Sequence, residues 1–66
     1  MRDNLRMARV EKRLTQEQLA AQIGVTTRQY SRIENGNSNG SLKVWEQIIK
    51  VLGGTIDDLY KNNFTR

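Results

Sequence analysis

A chain of 66 residues with 36% hydrophobic content is expected to make one domain around one small core. It contains no cysteine and no histidine, which removes disulfides, thiolate nucleophiles, imidazole bases and the usual zinc ligand sets from its chemistry. Eleven basic residues against seven acidic ones give a net charge of +4, a balance that favours polyanionic partners such as nucleic acid. Apolar runs are short and Met1-Arg2-Asp3-Asn4 lacks a hydrophobic h-region, so the expectation is a cytoplasmic protein without signal peptide or membrane span.

Proline is absent, and glycine falls only at 24, 36, 40, 53 and 54, which divides the chain into short helical segments. The first is expected over 4–13, capped by Asp3, with Leu5 and Ala8 on one apolar stripe and Met7, Val10 and Leu14 on an adjoining one. Arg2, Arg6, Arg9 and Arg13 recur at steps of four, three and four, which reads as a solvated basic face. Thr15 and Gln18 form a capping box that opens a second helix, whose buried stripe is Leu19, Ala20 and Ile23 and whose stop is Gly24. Thr26 and Gln29 repeat the box at once, so a third helix begins within a few residues and must cross the second steeply.

That third helix is expected over 27–35, burying Tyr30 and Ile33 and ending at Gly36. The stretch 35–40 holds no apolar residue and is rich in turn formers, as a surface loop requires. Ser41 caps a fourth helix in which Leu42, Trp45, Ile48, Ile49 and Leu52 keep helical spacing as far as Gly53-Gly54. Thr55 caps a short fifth helix, with Asp57 and Asp58 at the positive end of its dipole and Ile56 and Leu59 facing inward or toward a partner. The expected fold is therefore all-α, a compact five-helix domain spanning 1–66.

Chemistry concentrates in the window 16–35. There a small Ala20, a turn-making Gly24 and apolar Leu19, Ile23, Val25, Tyr30 and Ile33 fix two helices at one angle, so that the end of the second can enter a major groove. At these residues the sequence resembles the Cro/XRE-like phage-repressor family of helix-turn-helix regulators. The resemblance rests on Leu14-Thr-Gln-Glu-Gln-Leu-Ala20, Ile23-Gly-Val-Thr26 and Ser31-Arg-Ile-Glu-Asn-Gly36, and continues through Ser41-Leu42 and Ile56-Asp-Asp-Leu59. Tyr30, where the family usually has an aliphatic residue, and a loop without the frequent proline depart from it.

The resemblance implies double-stranded DNA as partner, no cofactor or metal, and a recognition helix over 27–35. It places Gln16 on a phosphate, Thr26, Thr27, Arg28 and Arg32 against base edges, and Asn35 with the following loop on the backbone; Asn37, Ser38, Asn39 and Lys43 are weaker candidates. Arginine's planar fork suits guanine O6 and N7, and threonine's methyl suits that of thymine. The family pattern also pairs Arg9 with Glu34 as a structural tie, alongside Ala20 and Gly24. A homodimer on an inverted-repeat operator is expected, with Ile56, Leu59 and Tyr60 supplying the contact and Trp45 or Phe64 as further candidates.

Catalysis is not expected. The carboxylates are scattered, and the adjacent pair Asp57-Asp58 serves a helix terminus. The competing reading is a protein-binding module, of antitoxin or antirepressor type, on the same scaffold. An RNA reader is disfavoured because the exposed motif face lacks paired aromatics that stack bases.

Overall fold

The computed structural model of the protein describes residues 1–61. They form five helices, α1 (Asp3–Glu11), α2 (Gln16–Ile23), α3 (Thr27–Asn35), α4 (Leu42–Leu52) and α5 (Ile56–Tyr60), with no strand among the described residues. Phe64, a candidate for a dimer contact, lies outside them.

The middle of the chain follows its local signals. Thr15 Oγ1 accepts the Gln18 backbone N–H at 3.0 Å while Gln18 Oε1 accepts that of Thr15 at 2.9 Å. Thr26 and Gln29 repeat the arrangement at 3.0 and 2.9 Å. Each box satisfies two backbone donors that a helix start leaves without partners, an N-cap of this kind contributing about 1 kcal/mol. Between the boxes, Gly24 adopts φ 82°, a left-handed conformation that a Cβ would disfavour, and the Val25 N–H closes the turn on the Ala20 carbonyl at 3.0 Å. With its geometry fixed at both ends, α2 packs on α3 and α4 over a face containing Leu19, Ala20 and Ile23.

A single core cluster joins Leu5, Leu19, Ala20, Ile23, Tyr30, Ile33, Trp45, Ile48, Leu52 and Leu59, drawing on all five helices. Burying a leucine or isoleucine of this kind favours folding by roughly 1.5–3 kcal/mol, against the entropy of ordering the chain. The indole Nε1–H of Trp45 donates to the Asn39 carbonyl at 2.7 Å, so a large ring enters the core without stranding its polar atom. Trp45 thus belongs to the protomer's interior rather than to a contact with a second copy.

The first helix departs from expectation. It ends at Glu11, not near 13, because Arg13 takes φ 59° and turns the chain. Arg9 Nη1 spans that turn to the Leu14 carbonyl at 2.7 Å. Asp3 lies within the first turn, and the capping position belongs to Arg2, which offers no side-chain cap. Met7 and Val10, placed by periodicity on an apolar stripe, are exposed, as is Leu42 at the start of α4. The helices are too short for every apolar position to reach a neighbour, and the stripe actually buried is narrower than the periodic one.

The basic face also divides. Arg6 and Arg13 are exposed, Arg9 is engaged with Glu34, and Arg2 is only 2% exposed. The Arg2 guanidinium donates to the carbonyls of Ile33, of Ser38 at 3.0 Å and of Tyr60 at 2.7 Å, and to Asn39 Oδ1 at 3.1 Å. It lies over the Tyr60 ring at 4.7 Å and the Trp45 ring at 5.7 Å. Helical spacing placed Arg2 with three other arginines, but tertiary hydrogen bonds set its fate.

Candidate nucleic-acid interface

Helix α3 presents two unlike faces because its side chains follow the helical repeat. Tyr30, Ile33 and Glu34 are buried, whereas Thr27, Arg28, Arg32 and Asn35 are exposed, together with Thr26 at the cap. Arg28 and Arg32 stand one turn apart on the same face, and neither forms an ion pair among the described residues. Two extended cations without a partner on a helix held from behind make a surface able to engage polyanion edges. Beyond Arg32 an open groove of about 230 Å³ separates α3 from the start of α4, with Val25, Gln29, Ser41 and Val44 on its walls.

What holds α3 from behind is Glu34, 1% exposed. Its Oε1 accepts Arg9 Nε at 2.9 Å and the Tyr30 hydroxyl at 2.7 Å, while Oε2 accepts Gln16 Nε2 at 2.8 Å and Arg9 Nη2 at 3.3 Å. Burial alone pushes a carboxyl upward, but the Arg9 fork and the Tyr30 and Gln16 donors outweigh it and hold Glu34 below its ordinary value. The same contact raises Arg9 further above its own, against the opposing effect of burial. Burial and then the neighbouring carboxylate push the Tyr30 hydroxyl strongly upward, so it remains a donor. The carboxylate is therefore saturated by groups from α1, α2 and α3, and the recognition helix is tied to both of its predecessors. The ion pair expected of Arg9 and Glu34 is present; the parts played by Tyr30 and Gln16 were not anticipated. Tyrosine at a position usually aliphatic is the signal that could have pointed to a buried acceptor nearby.

The remaining candidates divide by where their polar atoms lie. Thr26 Oγ1 is occupied by the cap, which leaves its methyl group to face outward chemistry, and Thr27 is free of such a task. Gln16, expected on a phosphate, lends Nε2 to Glu34, although its amide carries a second N–H. Asn35 Nδ2 is 3.4 Å from Ser31 Oγ, and Lys43 extends from the exposed side of α4. In the loop, the N–H groups of Asn37 and Ser38 both point to the Arg32 carbonyl, at 2.8 and 3.1 Å. Ser38 and Asn39 turn acceptors inward to Arg2, so the loop is pinned rather than loosely draped. On α5, Leu59 is 6% exposed and packs within its own protomer, leaving the half-buried Ile56 and the 39% exposed Tyr60 as surface.

This pair of capped helices, joined through a left-handed glycine and followed by two supporting helices, is the arrangement of a helix-turn-helix domain. The profile of the helix-turn-helix family matches residues 5–59. The chain belongs to that family, in its Cro/C1-type (XRE) branch, and is a DNA-binding transcriptional regulator. It is 43% identical over 61 residues to control protein C.MunI of a Mycoplasma species, covering 91% of this chain and 82% of that protein. Over 60 residues it is 37% identical to an uncharacterized helix-turn-helix-type transcriptional regulator of Methanocaldococcus jannaschii, covering 91% of each. A similar regulator of Archaeoglobus fulgidus shares 35% over 60 residues, covering 91% of this chain and 86% of its own length. No solved structure matches significantly. Among the described residues, no helix is long and apolar enough to cross a membrane.

Proposed function

We propose that the protein is a repressor that binds an inverted-repeat operator as a homodimer, each copy laying the N-terminal half of α3 in one major groove. The observation that carries this reading is the free, aligned pair Arg28 and Arg32 on a helix whose opposite face is locked through Glu34. Each guanidinium forks to a guanine, and the Thr26 and Thr27 methyl groups read thymine. Gln16, Asn35, Lys43 and the loop over 36–40 hold phosphates, which orient the domain without reading sequence. Ile56 and Tyr60, with what remains accessible of Leu59, form the contact between copies.

Dimerisation is favoured by size. The longest dimension of the domain is 32 Å, so one copy spans about one turn of duplex, roughly 34 Å, and a single module of this kind buries little surface. That one relative is named a control protein fits a regulator of transcription.

Selection of bound sites from a random duplex pool, followed by footprinting, tests the reading. The expected product is an inverted repeat with half-site centres about 34 Å apart. A single unrepeated site occupied by a monomer at saturation refutes the dimer. On the selected operator, Arg28→Ala and Arg32→Ala should each lose about 1–3 kcal/mol and relax preference at different base pairs. An unchanged ranking of single-base variants after removal of both arginines refutes the assignment of the reading face.

A further inference from the structure

A buried arginine that meets no carboxylate needs a reason. Among the described residues Arg2 takes part in no ion pair, yet four of the guanidinium's five N–H groups are donated to neutral oxygens. Those oxygens belong to three separate places. Ile33 is in the last turn of α3, where carbonyls carry the negative end of the helix dipole; Ser38 and Asn39 are in the following loop; Tyr60 closes α5. The Arg2 backbone N–H adds a fifth hydrogen bond, to the Glu34 carbonyl at 2.8 Å, again on α3. The rings of Tyr60 and Trp45, themselves in edge contact with centroids 5.6 Å apart, supply π faces to the cation.

We propose that Arg2 is a positioning residue for operator binding, its buried guanidinium coupling the loop beside the recognition helix to the α5 surface where a second copy docks. The inference rests on the preceding reading for the roles of loop and α5, and on the geometry for the link between them. The loop has no apolar residue of its own to fix its path. It is held by the Arg32 carbonyl, by the Trp45 indole and by Arg2; among the described residues Arg2 is the one that joins it to α5 by hydrogen bonds, whereas Trp45 meets α5 through ring contact with Tyr60. A lysine cannot reproduce this. Its ammonium is a compact point charge with three donors, whereas the planar fork stacks on the rings and addresses all four oxygens at once.

Arg2→Lys keeps the net charge and separates the possibilities, measured well below its melting transition with folding verified by circular dichroism. With a duplex carrying one selected half-site, affinity should fall about tenfold and the dependence on salt should become shallower by about one phosphate contact, because a released loop loses its backbone grip. The dimer dissociation constant, from sedimentation without DNA, should rise at least threefold. A folded Arg2→Lys that matches the parent within twofold in either measure overturns the proposal, since a residue serving stability alone leaves both unchanged in the folded protein.

Asn39→Ala provides a variant on the exposed loop that leaves the core intact. In its carbon-detected spectrum the Tyr60 carbonyl resonance should move, transmitted through the Arg2 fork from 21 positions away along the chain. Perturbation confined to the loop and the Trp45 indole, with Tyr60 unmoved, defeats the coupling. If the unaltered protein neither dimerises nor binds the half-site, the repressor reading fails while the Tyr60 readout still decides the link.

Discussion

Replacing Tyr30 by phenylalanine isolates one part of the lock behind the recognition helix. The substitution keeps the ring in the core and deletes a hydroxyl that lies 2.7 Å from Glu34 Oε1. A hydrogen bond to a charged group contributes about 1.5–3 kcal/mol. Glu34 Oε1 still accepts Arg9 Nε at 2.9 Å, so no acceptor is orphaned and the lower figure, about 1.5 kcal/mol, applies. For a domain of this length that corresponds to a fall in melting temperature of about 6–12 °C at neutral pH. The effect carries a pH signature. Glu34 titrates in the fold below its ordinary value of 4.5, so its stabilising contribution is complete above that value and disappears as pH falls through the folded-state value. Loss of the Tyr30 donor moves the folded-state value upward and shrinks that contribution. The gap between the parent and Tyr30→Phe should therefore be widest near neutrality and narrow on acidification below about 4.5. Thermal denaturation of both proteins across this range measures it. Equal melting temperatures at pH 7, or a gap that stays constant into acid, refute the account of Glu34 as an acceptor stabilised by Tyr30.

Glu34→Ala strands the Tyr30 hydroxyl and leaves Arg9 without its carboxylate, a loss of about 3–5 kcal/mol that urea titration should register as a large fall in midpoint. Gln16→Ala should weaken binding to all duplex sequences nearly alike, and should also cost about 1 kcal/mol of stability because Gln16 donates to Glu34; a changed ranking of sites in a mobility-shift panel contradicts it. Gly24→Ala meets no neighbouring atom and should cost only the backbone term, about 1–2 kcal/mol, whereas Gly40→Ala adds a Cβ 3.1 Å from Ile33 Cδ1 and 3.2 Å from Trp45 Nε1 to the same penalty. Denaturant midpoints should place Gly40→Ala below Gly24→Ala. Duplex affinity should fall steeply between low and moderate salt as arginine and lysine side chains displace condensed counterions, and a flat response argues against phosphate contact.

How much the sequence disclosed depends on the range over which each feature is determined. Thr15 with Gln18, and Thr26 with Gln29, act across three residues, and the conformation of Gly24 follows from its own missing Cβ, so α2, the turn and α3 were legible residue by residue. The outward face of α3 followed from periodicity. Arg2 was not legible, because its acceptors are mostly backbone carbonyls, which every residue possesses and no side-chain pattern marks. The end of α1 was overestimated because a left-handed arginine at 13 is unfavourable locally and is supported by a bond from Arg9 to Leu14 across the turn. Leu59 could be assigned to an apolar face but not to one side of an interface, since helical spacing says which residues share a face and not what covers it.

The tie between Arg2 and Tyr60 also joins positions 58 apart in the chain, and Asn4 Nδ2 reaches the Asp58 carbonyl at 3.2 Å beside it. Closing so long a loop carries an entropic penalty that the short α5 cannot offset alone, whereas α2 and α3 are neighbours in sequence. Assembly is therefore expected to begin in the helix-turn-helix and to finish where α5 meets the segment around Arg2. The same order is expected of excursions from the native state: α5 and the segment around Arg2 should open together in partial unfolding, while the amide hydrogens of α2 and α3 should exchange only when the whole domain opens. On the proposed reading, the surface assigned to the second copy should be the least persistent part of the monomer, and pairing, by holding α5 down, should stabilise the element that presents it.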